Sequence, residues 1–371
     1  MNGFKKVYLA LRSSFLFIPA VNAQDTALLN DGPYLFYENG KPVVKAIIDN
    51  QITRLENPKE VQVSFKDHAD WNFTVPIQSR LENEPADFKL NIEKLFILSD
   101  IEGEFETFRK ILIANKVIDE KYNWTFGKGR LVIDGDLFDR GNNVPETLWL
   151  LYKLEQEAKK QGGYVHTLLG NHEIMNLSGD LRYVEPKYLE SAKLLGISYM
   201  RLYDHNTELG RWLRTKNIIE RIGGKLFLHA GMSPEVYKHK LSVETINSKC
   251  RPYYASSKKD LPDSMKVFFG KDSPFWYRGY FLPPRTTTAE LEKILRFYNC
   301  TLIIVGHTIL KRNVAFYYGG KVLDVDTDQH AGKGAGALFT NAKWFAIDAT
   351  GKRKRLHYKR KNDEIKEEDI L

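Results

Sequence analysis

Short apolar runs punctuate the middle of this chain, and each stops at polar residues flanked by glycine. The runs are Leu95–Leu98, Leu131–Ile133, Tyr164–Leu169, Lys225–Leu228 and Thr301–Val305. Brief, nearly unbroken stretches of this kind predict buried strands. Between them the apolar spacing becomes helical: Phe105, Phe108, Leu112 and Ile113 predict a helix over Phe105–Ile118, and Leu148, Leu151 and Leu154 predict one over Val144–Lys160. A further helix over Thr288–Tyr298 leads into the last run. Strand, helix, strand, helix, strand with short connections predicts βαβ units around a central sheet, an α/β fold.

The flanks follow other patterns. From Gln24 to about Leu90 the chain alternates short extended pieces, Tyr34–Tyr37, Val43–Ile48 and Val61–Phe65, with a hairpin signal at Asn39-Gly40. This predicts a small β-rich extension (24–90) with its boundary near Asp87. The main domain then spans 91–350. After Gly170 the regular alternation stops, and helices predicted over Pro186–Gly196 and Thr207–Ile218 form an insertion at about 173–224 above the sheet edge. Pro234–Asn247 reads as one helix, and Lys258–Pro284 as an irregular stretch rich in proline, glycine and aromatics. Val314–Tyr318, Lys321–Val325, Gly336–Thr340 and Trp344–Ile347 read as hairpin strands, the first pair joined at Gly319-Gly320.

Composition bounds this picture. With 371 residues, 43% of them hydrophobic, the chain can bury a substantial core in one large domain or two ordinary ones. The first 23 residues differ. Lys5 and Lys6 precede an apolar run from Val7 to Ala20, interrupted by Arg12, and Val21-Asn22-Ala23 supplies small residues. That is a signal-peptide pattern, with cleavage expected before Gln24, an exported (periplasmic or secreted) protein, and no membrane association afterwards. The run is too short to span a bilayer, which takes about 20 apolar residues. Cleavage lowers the formal charge from +8 to +5, because Lys5, Lys6 and Arg12 leave with the segment. So mild an excess argues against a nucleic-acid partner; the basic cluster in Lys352–Arg360, followed by an acidic end, reads as a solvated edge strand and a tail (351–371). Cys250 and Cys300 are compatible with one disulfide or with two buried thiols.

Candidate chemistry concentrates where the strands end. The run Leu131–Ile133 gives way to Asp134, Asp136, Asp139 and Arg140, and carboxylates at the C-terminal edge of an open α/β sheet occupy the usual place for ligands. Four other strand ends carry comparable residues: Ser99-Asp100-Ile101-Glu102-Gly103, Gly170-Asn171-His172-Glu173, His229-Ala230-Gly231 and Gly306-His307-Thr308. A single histidine in such a place is ordinarily structural. Five strand ends, each with a metal-ligand residue type beside glycine, point to one assembled site.

Taken in order, Gly-Asp-x-x-Asp-Arg-Gly, Gly-Asn-His-Glu and Gly-His-Thr are similar to the motifs of the calcineurin-like metallophosphoesterase superfamily, over Leu95 to about Ile347. More closely, Gly170–Asp180 with Arg182-Tyr183-Val184, and Pro274–Gly279, resemble the Shewanella-like protein phosphatase branch. The resemblance implies a four-layer α/β/β/α sandwich holding two divalent metals. Paired cations about 4 Å apart acidify a bridging water and clamp phosphate oxygens. By the same resemblance Asp136 bridges the metals, Asp100 belongs to one site, and Asn171, His229 and His307 form the other. Mixed oxygen and nitrogen ligands suit manganese, iron or zinc better than calcium. Arg140 is then the phosphate fork, with Asn171 a further substrate-binding residue and Arg278 either a second phosphate clamp or an arginine paired within the aromatic loop. His172, oriented by Asp139, becomes the proton donor to the leaving oxygen. Asp134 receives no role.

One position departs from the family. Where Asp-x-His is usual, this chain has Asp100-Ile101-Glu102. Glu102 as a ligand makes the first site all-oxygen and biases it toward manganese or magnesium; a Glu102 turned away leaves that site weak; a third reading is a phosphate-binding protein without turnover. The expectation is the first. It gives a metal-dependent phosphomonoesterase resembling protein phosphatases, attacking by a metal-bound hydroxide, with manganese the first choice of metal and a phosphoprotein or small phosphoester as substrate. The alternatives are a nucleotide or other small phosphoester hydrolase, and a non-catalytic phospho-ligand-binding protein.

Overall fold

A computed structural model describes residues 28–332, 334–358 and 365. The expected signal segment and most of the tail lie outside these residues. In chain order the strands are β1 (Asp31–Glu38), β2 (Lys41–Ile48), β3 (Gln51–Glu56), β4 (Glu60–Val63), β5 (Phe73–Pro76), β6 (Asp87–Phe88), β7 (Lys94–Leu98), β8 (Arg130–Asp134), β9 (Tyr164–Leu168), β10 (Glu220–Ile222), β11 (Lys225–Phe227), β12 (Leu302–Val305), β13 (Ala315–Tyr317), β14 (Val322–Asp324), β15 (Ala335–Thr340), β16 (Lys343–Asp348) and β17 (Arg353–Arg355). The α-helices are α1 (Phe105–Ala114), α2 (Val144–Lys160), α3 (Asn171–Ser178), α4 (Pro186–Leu194), α5 (Glu208–Leu213), α6 (Pro234–Tyr237), α7 (Val243–Cys250), α8 (Asp263–Phe269) and α9 (Thr288–Tyr298).

Two six-stranded sheets form the centre, ordered β17-β16-β15-β7-β8-β9 and β13-β14-β12-β11-β10-β6. Strands β7, β8 and β9 are parallel, as are β11, β12 and β14. Side-chain alternation builds the layers. Leu95, Ile97 and Val132 of the first sheet meet Ile222, Phe227, Ile304 and Leu323 of the second in one buried cluster. The intervening residues Phe96, Leu98, Leu131 and Ile133 belong to the larger cluster that includes the helical residues Phe108, Leu148 and Leu151. Strands buried on both faces read as continuous apolar runs, which is why these were visible in the sequence. The result is a mixed α/β fold in which two sheets face one another between helical layers.

The segments before β6 wrap this core. The β1–β2 hairpin turns at Asn39-Gly40 as expected, β3 adds an exposed third strand, and β4 pairs with β5. Trp149 Nε1 on α2 donates to the Pro33 carbonyl at 2.9 Å, and Tyr152 OH accepts from Gln78 N at 2.8 Å, so the extension is fastened to α2. Strand β6 joins the second sheet beside β10, where Arg221 Nε donates to Asp87 Oδ1 at 2.7 Å.

Several element expectations change. The first helix stops at Ala114, its C-cap Asn115 donating back to the Ile111 carbonyl, short of the expected Ile118. The helix expected over Pro234–Asn247 is two, because Lys240 between them has a left-handed φ of 50°. Only Glu208–Leu213 of the expected Thr207–Ile218 is helical, and the irregular stretch Lys258–Pro284 contains α8. In the basic cluster, Arg353–Arg355 is an exposed edge strand paired with β16. Cys250 and Cys300 are free buried thiols. Among the described residues no helix is long and apolar enough to cross a membrane.

Candidate active site

The site is assembled from chain immediately after strand ends. Asp100 and Glu102 follow β7, Asp136, Asp139 and Arg140 follow β8, Asn171 and His172 begin α3 just after β9, His229 follows β11 and His307 follows β12. Turning sharply off a strand forces unusual backbone. Asp100, Glu102, Asp136, Asp139, Arg140 and His307 all have φ between 49° and 73°. Non-glycine residues held there cost on the order of 1–3 kcal/mol each, strain typical of functional sites. Close approach also explains two glycines. A Cβ on Gly135 would lie 2.7 Å from the Gly170 Cα, and one on Gly306 would collide with the Asp100 carboxylate.

Two groups of metal-ligand atoms result. Asp136, His229 and His307 place one donor atom each within 4.8 Å of one another, all buried. His229 Nε2 lies 3.0 Å from Asp136 Oδ2 and 3.0 Å from Asn171 Oδ1. The other ring nitrogen, Nδ1, sits 2.7 Å from the Asp134 carbonyl, so its N–H donates there and Nε2 is turned inward, where a metal would take the place of its proton. Burial alone would depress His229; the Asp136 and Asp100 carboxylates overcome it and hold the ring at about 10. His307 goes the other way, held well below the ordinary value by burial and by His229 and Arg278. Its Nε2 is buried without a hydrogen-bond partner among the described residues. The second group is Glu102, Asp136 and His172. Asp100 lines the same cavity, and its Oδ2 accepts from the His307 backbone N–H at 3.1 Å. Asp134 lies beneath, its carboxyl pushed well above the usual range by burial, while its carbonyl accepts from Ser99 Oγ at 3.0 Å as well as His229.

Beside these groups stands a histidine–carboxylate pair. His172 Nδ1 is 2.5 Å from Asp139 Oδ2, and Asn176 Nδ2 donates to Asp139 Oδ1 at 2.8 Å. Tyr199 OH donates to Asn176 Oδ1 at 2.5 Å, fixing the amide. His172 is raised above its ordinary value: burial opposes, but the Asp136 charge and the Asp139 hydrogen bond prevail. Its free Nε2 faces Asp136 Oδ2 at 3.8 Å and Glu102 Oε1 at 3.9 Å.

The mouth is cationic and aromatic. Arg140 is ion-paired with Glu102, and its guanidinium lies 5.5 Å from the Tyr183 ring. Arg278 Nη1 donates to Thr308 Oγ1 at 3.4 Å. Tyr183, 45% exposed, also approaches His172, and Trp276 packs against His307 at 5.7 Å. All these residues line one cavity of about 250 Å³.

A family model described as calcineurin-like phosphoesterase matches residues 93–310, the span that carries every one of these groups. The chain belongs to the calcineurin-like phosphoesterase family. Within it, this chain falls in the Shewanella-like protein phosphatase branch. It is 31% identical to Shewanella-like protein phosphatase 1 of Plasmodium berghei over 259 residues, 67% of this chain and 68% of the relative. It is 35% identical to Shewanella-like protein phosphatase 2 of Arabidopsis thaliana over 132 residues, covering 35% and 34% of the two chains. The crystal structure of a cold-active protein-tyrosine phosphatase from a psychrophilic Shewanella superposes with a TM-score of 0.82 at 37% identity, over 88% of this chain and 99% of that one. As a member of this family, the chain is a metal-dependent phosphoesterase of protein-phosphatase-like type.

The residues present fit the divalent metals that the family implies. The Nε2 of His307, without a hydrogen-bond partner among the described residues, the inward Nε2 of His229 and the Asn171 amide oxygen converge on Asp136. On the other side of Asp136 stand Glu102 and His172, with the Asp100 carboxylate lining the same cavity. Sequence reasoning passed over Glu173, Asn176 and Tyr183 as functional residues. Glu173 accepts backbone N–H bonds from Asp136, Leu137, Phe138 and Gly170 at 2.6–3.2 Å, tying the turn after β8 to the start of α3. The signal was present in part: glutamate three residues after the residue preceding a helix is a capping-box position.

Proposed function

We propose that this protein is an exported dinuclear phosphomonoesterase that hydrolyses phosphoprotein substrates, with phosphotyrosine preferred. The observation that carries this reading is one cavity lined by Asp136, Asn171, His307, His172, Arg140 and Arg278, with His229 against Asp136 and Asp139 behind His172. Asp100, Glu102 and Asp136 would hold one cation, and Asp136, Asn171, His229 and His307 the other. When bound, two divalent cations supply the charge that a phosphate dianion needs and acidify the attacking water. Manganese is the first choice, with iron, zinc and magnesium the other candidates; the oxygen-rich side of Asp136 supports this order.

The chain's own residues supply the rest. Arg140 offers a planar fork to two phosphate oxygens, and must exchange Glu102 for the substrate as it does so. Arg278 adds charge from the facing loop. His172 holds a proton at Nε2 and gives it to the leaving oxygen; Asp139 fixes the ring and favours its charged form. Tyr183 and Trp276 at the mouth suit an aromatic leaving group. The protein-tyrosine phosphatase of known structure supports the same choice. Export rests on the sequence pattern of the first 23 residues.

Phosphate release from phosphotyrosine peptides, phosphoserine peptides and nucleoside monophosphates, each at equal concentration with Mn²⁺, tests the assignment. The highest kcat/KM is expected for phosphotyrosine. A preference for nucleotides would replace the protein-phosphatase reading with that of a small-phosphoester hydrolase, and no hydrolysis of any of them would leave a binding protein.

A further inference from the structure

Six strands, not five, end at this cavity. The sixth is β14, which lies parallel to β12 with Val305 opposite Asp324. Val325 N donates to the Val305 carbonyl at 2.9 Å. Asp326 follows the end of β14 by two residues, as His307 follows the end of β12. Asp326 is 2% exposed and lines the cavity together with Asp100, Glu102 and Asp136. Three residues on, Gln329 lines it too. Gln329 is 1% exposed; its Nε2 donates to the carbonyl of Ser99, the residue before Asp100, at 2.8 Å, and its Oε1 is buried without any hydrogen-bond partner among the described residues. A buried amide oxygen left without a donor costs on the order of 1–3 kcal/mol unless something else meets it.

We infer that Asp326, assisted by the Gln329 amide oxygen, is a further ligand of the first metal, so that this cation is held entirely by oxygen donors. The inference rests on the dinuclear reading above. Its physical basis is the donor set. A carboxylate stands at position 102 where the family has an imidazole, and Glu102 shares its charge with Arg140. The β14 loop brings a second carboxylate and a neutral oxygen to the same cavity. Asp326 Oδ1 already accepts from the Asp328 backbone N–H at 3.2 Å, an outer hydrogen bond of the kind that orients a ligating carboxylate. Asp100, Glu102, Asp136 and Asp326 place four carboxylates around one cavity. Buried charges in that number call for a cation, and a hard, oxygen-preferring one such as Mn²⁺ or Mg²⁺ fits best.

The test is metal binding on the full chain. Wild-type protein, Asp326→Asn and Gln329→Leu are stripped with chelator, then titrated with Mn²⁺ by calorimetry, with metal content after gel filtration as a second readout. Two ions are expected on the wild type. In Asp326→Asn, which keeps the acceptor for Asp328 N–H, one ion should remain at wild-type affinity and the other should weaken at least tenfold. Gln329→Leu should weaken the same ion several-fold. Two ions at unchanged affinity in Asp326→Asn would overturn the inference while leaving the dinuclear reading intact. If Asp326→Asn does not fold, unchanged binding in Gln329→Leu overturns it instead. A wild-type protein that takes up no metal would overturn the dinuclear reading itself.

Discussion

Replacing Glu173 by glutamine removes one oxygen from a side chain that has none to spare. Glu173 is fully buried, and each of its oxygens accepts two backbone N–H groups: Oε1 from Leu137 at 2.6 Å and Phe138 at 3.2 Å, Oε2 from Gly170 at 2.6 Å and Asp136 at 3.0 Å. Burial and the neighbouring Asp136 raise this carboxyl to about 7 against the pull of the backbone donors, so it accepts as a carboxylate above that pH, where the measurement is made. Whichever way the glutamine amide is turned, its NH₂ faces two N–H donors. Hydrogen bonds to a charged acceptor contribute about 1.5–3 kcal/mol each, so losing two costs about 3–6 kcal/mol. Against a typical domain stability of roughly 5–15 kcal/mol that is a large fraction. Urea unfolding of chelator-treated protein measures it directly: the midpoint should fall with the slope unchanged. The turnover number should fall too, since the same N–H groups hold the Asp136 turn. A stability change under about 1 kcal/mol, below the contribution of even one such bond, would refute this account of how the two motifs are joined.

Other consequences can be checked by simpler means. Asp139→Asn removes the carboxylate charge that helps to raise His172, so the alkaline limb of kcat, where His172 loses its proton, should move to lower pH, with kcat down by about 10²-fold or more; an unmoved limb would count against His172 as the acid. Arg140→Lys keeps the charge but loses the fork, and steady-state kinetics should show kcat/KM reduced roughly tenfold or more. Lys216 is buried against Glu155 at 2.7 Å, so Lys216→Met should strand that carboxylate and lower thermal stability by about 3–5 kcal/mol.

The sequence disclosed most of this site because its chemistry follows strands buried on both faces. Such strands appear as apolar runs, and the polar residues just after them stand out. The sixth strand end escaped notice for a topological reason. Lys321–Val325 reads as half of a hairpin with Val314–Tyr318, which it is, yet β14 also lies parallel to β12. That second pairing, set by contacts distant in sequence, delivers Asp326 to the cavity. Glu173 was hidden differently: a lone glutamate shows no sign of accepting from backbone 35 residues away. Lys240, with its left-handed backbone, broke a helix that apolar spacing alone predicted as continuous. The partnership of Glu102 with Arg140 depends on the turns after β7 and β8 lying side by side, where Glu102 N donates to the Asp136 carbonyl at 3.0 Å and Gly141 N to the Glu102 carbonyl at 2.8 Å.

The most direct test is phosphate release from an aryl phosphate by wild-type protein and Asp136→Asn, each stripped of metal and then supplied with Mn²⁺. Asp136 is the one carboxylate shared by both ligand groups. Restored turnover in the wild type, with loss of at least 10³-fold in Asp136→Asn at every Mn²⁺ concentration, is the predicted result, on the order of 4 kcal/mol of transition-state stabilisation. Turnover that ignores Mn²⁺, or survives in Asp136→Asn, would contradict it.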